Sequence, residues 1–343
     1  MPCHVRVRSG AVPKAWVVRE LGTPDKLHFE DVDPSPMSDD LVRIRVRAAA
    51  VNFFDLLQLG GTYQVKPELP FIPGAEVAGD VEAAPPGTGM RPGDRVFAVV
   101  SQEGLHRGGY TEVTHAEPGD VRKMPDGMSY AAAAAFFINY QTGWFALHRR
   151  ANVQPGEVVL VHAGAGGVGT AAIQLAKAAG ARVIATAGSD AKLAVCRDMG
   201  ADVAINYNDE DFVAAVKRAT DGKGADVVYD PVGGDVFDRS TKCVAFEGRI
   251  VVLGFTSGRV PTIATNHLLI KNYSIVGLHW GLYRQRAPQL IPECTQALFA
   301  LYAAGKIRPH VGREAPLADA VMVLEEVASR KTTGKAVLTV EAS

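Results

Sequence analysis

The run Val158-Val-Leu-Val-His-Ala-Gly164-Ala-Gly166-Gly167-Val-Gly169, followed by Thr170-Ala-Ala-Ile-Gln-Leu-Ala-Lys-Ala-Ala-Gly180, constrains the fold more than any other part of the chain. A short apolar run bounded by glycine reads as a buried strand, and the alanine-rich run after the glycines reads as a helix. Gly164, Gly166 and Gly169 fit G-x-G-x-x-G. The first glycine allows a tight turn, the second lets the backbone approach a pyrophosphate, and the third lets the helix pack on the strand. Ala165, Gly167 and Val168 fill out a loop whose backbone N–H groups, with the helix N-terminus behind them, face an anion. A dinucleotide is therefore the leading ligand, and redox chemistry the leading function.

Regular alternation of strand and helix surrounds this turn. Strands are expected at Val158–His162, Arg182–Ala187, Val203–Asn206, Ala225–Tyr229, Arg249–Leu253 and Tyr273–Gly277, with helices near 167–180, 190–199, 209–221, 233–244 and 264–271. This is the pattern of a doubly wound parallel sheet covered on both faces, an α/β Rossmann domain. Upstream the texture differs. Ala15–Val18, Leu41–Arg47, Glu76–Glu82 and Asp94–Val100 read as strands among prolines at 34, 36, 85, 86 and 92. Residues 41–47 alternate apolar and basic, as a half-exposed strand does. Helices are expected at 130–137, capped by Ser129, and at 139–150. Helices near 287–304 and 317–330 precede a last strand, Lys335–Val340, which is expected to return to the first domain. The division expected is therefore residues 1–136 with 281–343 for a discontinuous β-rich domain, and 137–280 for the Rossmann domain.

Composition closes off other classes. With 36 basic and 37 acidic residues, the chain has no cationic excess to bind nucleic acid. The four cysteines, Cys3, Cys196, Cys243 and Cys294, are far apart, which argues against a disulfide framework or a cysteine-rich zinc site and fits a reducing cytoplasm. No apolar run approaches the ~20 residues that cross a bilayer. Met1–Arg19 reads as a short basic extension without a signal core.

The tip of the second strand discriminates between nicotinamide cofactors. An NAD site places Asp or Glu about 20 residues past the first glycine, on the ribose 2′-hydroxyl. Here the sequence is Ala187-Gly188-Ser189-Asp190-Ala-Lys192, with no acid until Asp190. Ser189 and Lys192 are donors suited to a 2′-phosphate, and Tyr207 is placed to cover the same pocket. The reading is NADPH, against the plainer one in which Ser189 caps a helix and Lys192 is a surface residue. Val232, Leu253 and Phe255 follow the fourth and fifth strands, at the carboxyl edge where such sheets bind ligands, and are candidate walls for the nicotinamide.

Further motifs make the chain recognisable: Val51-Asn52-Phe-Phe-Asp55 with Gly60-Gly-Thr-Tyr63, Pro73-Gly74-Ala75-Glu76-Val-Ala-Gly79, Pro92-Gly-Asp-Arg-Val96 and Gly334-Lys335-Ala-Val-Leu338. With the glycine turn they resemble the medium-chain dehydrogenase/reductase superfamily, and within it the zinc-free, zeta-crystallin-like quinone oxidoreductases. The resemblance covers residues 14–341. It implies a GroES-like catalytic domain beside the Rossmann domain. It implies roles beside the nicotinamide for Asn52, Tyr63, Thr142 and Lys335: Asn52 as a donor to a substrate oxygen or the nicotinamide ribose, Tyr63 as a hydrogen-bond partner or proton donor, and Thr142 and Lys335 on the cofactor. The plainer reading makes Asn52 and Asp55 helix-capping residues, for Asp55 as open as a catalytic role, and Lys335 a surface lysine before an edge strand. Where relatives often carry a second tyrosine, this chain has Leu57. A homodimer is implied through the edge strand near 273–280, and His279-Trp280-Gly-Leu-Tyr283 is placed either at that interface or in the cleft the family implies.

Zinc-dependent relatives carry cysteine at the position of Asn52 and histidine at that of Ala75, so the expectation is no metal. This bears on the reaction. Hydride delivery to a simple ketone makes an alkoxide whose conjugate acid is about as weak as water, pKa ~15.7. Delivery to a quinone makes a phenolate-like anion, pKa ~10. The difference is about 8 kcal/mol of oxyanion stabilisation. A zinc-free site suits a quinone or another conjugated carbonyl acceptor. The alternatives are an enoyl-thioester or alkenal reductase, and an NADPH-binding protein with a nucleic-acid-binding or structural role.

Overall fold

A computed structural model describes residues 12–33, 38–102 and 104–341. The basic extension before residue 12, Cys3, Pro34 and Pro36 lie outside the described residues. In the first compact unit the strands are β1 (Lys14–Val18), β2 (Leu27–Asp31), β3 (Val42–Val51), β4 (Glu76–Ala83), β5 (Arg95–Val99), β6 (Val113–Ala116) and β7 (Val121–Lys123). Helix α1 (Phe53–Leu59) follows β3, and α2 (Tyr130–Ala134) closes the segment. The alternation in β3 is real over its first half: Val42, Ile44 and Val46 are fully buried, while Arg43 and Arg45 pair with Glu82 and Arg47 with Asp80 across β4. Gly79 is required at this pairing, because a Cβ there would stand 2.0 Å from the Arg45 carbonyl oxygen.

The second unit begins with α3 (Phe137–Trp144), which continues as a π-helical stretch to Arg150. Then come β8 (Val158–Val161), α4 (Gly167–Ala178), β9 (Arg182–Ala187), α5 (Asp190–Asp198), β10 (Val203–Asn206), α6 (Phe212–Ala219), β11 (Ala225–Asp230), α7 (Gly234–Ser240), β12 (Val244–Val252), α8 (Thr265–Lys271), β13 (Ser274–Gly277), α9 (Trp280–Arg286) and α10 (Leu290–Ala303). The sheet runs β10-β9-β8-β11-β12-β13, parallel throughout. This is the doubly wound dinucleotide order, with its crossover reversal between β8 and β11. Its core includes Leu160, Ile184, Val228 and Ile250, all fully buried.

The chain ends with β14 (Val311–Pro316), α11 (Ala320–Ala328) and β15 (Lys335–Thr339). The first unit takes in residues up to 134, then 314–330 and 337 onward; the second takes 135–313 and 331–336. The return of β15 to the β-rich sheet follows expectation: Val340 N–H donates to the Arg47 carbonyl at 3.0 Å. The expected boundary at 281 does not: residues 281–313 group with the Rossmann sheet. The reason is packing, since buried Gln141 of α3 donates to Thr295 of α10 at 3.0 Å, and Trp280 donates to Gln141 at 3.0 Å. Trp280 is thereby buried against α3, edge-on to Phe137, and Tyr283 packs on Phe145. These aromatics serve the interior of the second unit. Among the described residues, no helix is long and apolar enough to cross a membrane.

Candidate functional site

In the second unit, β8 leads into a turn at Ala163, a non-glycine residue at φ 50°. Gly164, Gly166 and Gly169 each have a local cause. A Cβ at Gly169 would lie 2.2 Å from the Ala163 carbonyl oxygen, and one at Gly164 would lie 2.9 Å from both Ala185 Cβ and Cys196 Sγ. Gly166 is the N-cap of α4 and offers no side chain to the first-turn N–H groups of Gly167, Val168 and Gly169. Those donors have no carbonyl partner within the helix. The turn is thus a backbone cradle whose space a larger residue would fill, and it fits a pyrophosphate.

The C-terminal segment closes on this turn. Gly334 N–H donates to the Ala165 carbonyl at 2.7 Å. The next residue, Lys335, is buried rather than on the surface, and its Nζ donates to Asn139 Oδ1 at 3.3 Å. Asn139, itself buried on α3, abuts Gly167, where a Cβ would stand 2.8 Å from its Nδ2. Thr142 lies half-buried three residues further along the same helix.

At the tip of β9 the residues expected at a 2′-phosphate lie in the turn and the first turn of α5, with Tyr207 beside them. Tyr207 covers Gly188, and Asn208 Nδ2 donates to the Gly188 carbonyl at 2.9 Å. Ser189 is the N-cap of α5 and accepts from Lys192 N–H, so the capping reading of Ser189 holds in this geometry. Lys192 is half-buried one turn into the helix, while Asp190 is exposed. Val232, Leu253 and Phe255 also come together. Leu253 N–H donates to the Asp230 carbonyl, Ser257 N–H to that of Val232, and Phe255 lies over Gly233. Asp230 pins this corner: its Oδ1 accepts from Val232 and Gly233 N–H at 2.8 and 3.0 Å. Burial raises its pKa against the lowering effect of those donors.

In the first unit, Asn52 caps α1. Its N–H donates to Asp55 Oδ2 at 2.8 Å, and Tyr110 donates to the same oxygen at 2.8 Å. Asp55 is fully buried and closes the capping box of α1, which holds Asn52. Burial, then the Asp55 charge, raise the pKa of Tyr110. Tyr63 is half-buried, its ring stacked on Phe54 with centroids 5.4 Å apart. Burial and then Asp55 raise its pKa too, so it stays a neutral phenol able to donate. Glu76, at the start of β4 and 1% exposed, accepts from Asn52 Nδ2 at 3.3 Å.

Sequence reasoning missed Asn139, Asp230, Tyr110 and Glu76. Glu76 stands next to Ala75 in the Pro73–Gly79 motif, and a carboxylate in an otherwise apolar strand was the signal. Among the described residues, no group of three or more His, Cys, Asp or Glu side chains could hold a metal ion. At positions 52 and 75 the chain offers an amide and a methyl, neither the thiolate nor the imidazole that a zinc site takes there.

Two known domain families match the chain: the alcohol dehydrogenase GroES-like domain over residues 38–126, and the zinc-binding dehydrogenase domain over 167–296. A quinone oxidoreductase-like protein 2 homolog of Nematostella vectensis is 38% identical over 332 residues, 95% of this chain and 88% of the relative. The crystal structure of Escherichia coli quinone oxidoreductase complexed with NADPH aligns with TM-score 0.87 at 32% identity, over 95% of this chain and all of that one. CurK enoyl reductase aligns with TM-score 0.83 at 26% identity, over 96% and 99%. Fold, motifs and relatives agree: the chain belongs to the medium-chain dehydrogenase/reductase superfamily, in its quinone oxidoreductase group, and is an oxidoreductase.

Proposed function

We propose that the protein reduces a quinone or another activated conjugated carbonyl with NADPH, without zinc. The observation that carries the cofactor choice is the acid-free tip of β9, where Tyr207 lies over Gly188 and Ser189 caps the helix that carries Lys192. When bound, NADPH supplies the hydride. The chain's own residues hold it: the N–H groups at 167–169 take the pyrophosphate, Ser189 and Lys192 donate to the 2′-phosphate, and Tyr207 covers the adenosine end. Thr142, Val232, Leu253, Phe255 and Lys335 are assigned to the nicotinamide half. Asn52 donates to the acceptor oxygen, and Tyr63 orients the acceptor or supplies a proton. For a quinone, water protonates the product anion as well, so catalysis rests mainly on positioning.

The test is stopped-flow oxidation of NADPH and of NADH with 1,4-benzoquinone, 9,10-phenanthrenequinone, a 2-alkenal and an enoyl-CoA. Turnover of the quinones with NADPH is expected. Oxidation of neither coenzyme by any acceptor would defeat the enzymatic reading. Turnover confined to the alkenal or the thioester would select the second reading, enoyl reduction, which the likeness to CurK enoyl reductase favours.

We also infer a homodimer through β13. It is the edge strand of the parallel sheet, and the helix before it presents Leu269 and Ile270, 76% and 73% exposed. An edge strand with exposed apolar neighbours invites pairing with a second copy.

A further inference from the structure

We propose that Glu76 is a positioning residue for Asn52, so that its carboxylate sets the direction in which the Asn52 amide faces an acceptor. The inference rests on the reading of Asn52 given above.

Three observations carry it. Asn52 is held at two points by two different buried carboxylates: its backbone N–H by Asp55 at 2.8 Å and its side-chain Nδ2 by Glu76 at 3.3 Å. Asp55 is 0% and Glu76 1% exposed, so neither exchanges with bulk water in this geometry. The two holds come from different elements, Asp55 from α1 and Glu76 from the first residue of β4.

The chemistry follows from what each group can do. A carboxamide has two nearly isosteric ends, one donating and one accepting, and rotation by half a turn exchanges them. An ionised carboxylate only accepts. Beside Glu76 the amide nitrogen must face the carboxylate, because the amide oxygen there would meet another acceptor. That choice fixes where the second N–H and the carbonyl of Asn52 point. An oxygen that gains negative charge during hydride transfer needs a donor already aimed at it. The capping box of α1 sets the Asn52 carbonyl end toward the Asp55 N–H, and Glu76 holds the opposite, donating end, so the two together fix the side-chain torsion. The backbone of Glu76 is fixed in turn, since β4 pairs with β3 through Ala50 and with β5 through Val99.

The experiment is a double-mutant cycle on the full-length protein with 9,10-phenanthrenequinone and NADPH. The variants are Asn52→Ala, Glu76→Gln and the double, each checked by thermal melting. Glu76→Gln preserves size but brings an amide that can present either end to Asn52. It is expected to lower kcat about tenfold, the scale of one charge-assisted hydrogen bond, with the KM for NADPH held. Added to Asn52→Ala it is expected to cost nothing more, because the group it orients is gone. A purely structural Glu76 would lower the melting temperature and give losses that multiply in the double variant; that outcome overturns the inference. So does full activity of Glu76→Gln beside an impaired Asn52→Ala. Glu76→Asp is the second probe: it keeps the acceptor but withdraws it, and an intermediate kcat supports orientation by the carboxylate. If Asn52→Ala is fully active with every acceptor, the reading of Asn52 falls and takes this inference with it. An impaired Asn52→Ala with additive effects leaves that reading standing and removes only the role of Glu76.

Discussion

The ring of Tyr207 lies over Gly188 so closely that a Cβ at Gly188 would stand 2.5 Å from its hydroxyl oxygen and 2.8 Å from Cζ. The absence of an acid at the tip of β9 is therefore coupled to the tyrosine above it, and either a methyl or a carboxylate at 188 would displace the ring. Tyr207 is 48% exposed and free to swing outward, so Gly188→Ala is expected to cost little stability. It is expected to weaken NADPH several-fold, because the displaced ring no longer covers the adenosine end. Gly188→Asp is expected to lose NADPH without becoming an efficient NADH enzyme. Kd values for both coenzymes by fluorescence titration check this, and a clean switch to NADH would show that Tyr207 plays no part.

Lys192 carries the charge in the 2′-phosphate assignment. A hydrogen bond from a cation to a phosphate contributes about 1.5–3 kcal/mol. Lys192→Ala is thus expected to weaken NADPH binding about 10- to 100-fold and NADH binding far less. The comparison is made at one fixed ionic strength, since part of the effect is screened. Equal losses for both coenzymes would place the 2′-phosphate elsewhere.

Much of this architecture was legible in the chain, for identifiable reasons. The parallel sheet announces itself because strands buried on both faces are continuous apolar runs, such as Val158–Val161, separated by amphipathic helices. The glycine turn is legible because side chains crowd Gly164 and backbone crowds Gly169, so that both positions call for glycine. The β-rich unit was harder. Helix α1 is Phe-Phe-Asp-Leu-Leu-Gln-Leu, too short for its period to show, and β7 spans only Val121–Lys123. Relations that depend on tertiary approach were not legible at all. Asn52 and Glu76 are 24 positions apart, and Lys335 and Asn139 are 196 apart. No local pattern joins them. The division of the chain failed for the same reason: the contacts of Gln141 with Trp280 and Thr295, not a linker, decide where residues 281–313 belong.

The zinc-free reading predicts that metal removal changes nothing. Dialysis against EDTA followed by buffer exchange should leave quinone turnover within error of the untreated protein, and elemental analysis should find far less than one zinc per chain. Loss of activity on chelation, with return on adding zinc, would show a donor set other than Asn52 and Ala75. That reversal would also reopen simple ketones as acceptors, since a Lewis acid stabilises the alkoxide they form.

The proposed dimer is tested at α8. Leu269→Glu combined with Ile270→Glu places two charges where exposed apolar side chains flank β13. A dimer should become a monomer in sedimentation equilibrium, with the melting temperature of the monomer little changed because neither side chain is in the core. A monomeric parent chain, or a dimer indifferent to both charges, would remove this face from consideration.

His162 makes the protein acid-sensitive in a defined window. It sits at the end of β8, 1% exposed, with Nδ1 2.9 Å from Thr186 Oγ1 and Nε2 2.8 Å from Ser240 Oγ. Ser240 donates its own proton to the Val236 carbonyl, so its oxygen accepts from the ring. The proton of the neutral imidazole is therefore on Nε2, and Nδ1 accepts from Thr186. Burial, assisted by the nearby Arg239 charge, lowers the His162 pKa to about 3. The unfolded chain binds this proton near pH ~6.5, so between that value and the folded one the unfolded state holds more protons. The contribution of His162 to stability is complete above ~6.5 and declines as pH falls toward the folded value, by up to ~1.4 kcal/mol per pH unit. From pH ~6.5 to ~5 the loss from this group is about 2 kcal/mol. His162→Gln keeps one donor and one acceptor but does not titrate. It is expected to be less stable than the parent at pH ~7.5 and to lose less on acidification. Urea midpoints of both proteins at pH ~7.5 and ~5 decide the matter, and parallel losses would assign the acid sensitivity to other groups.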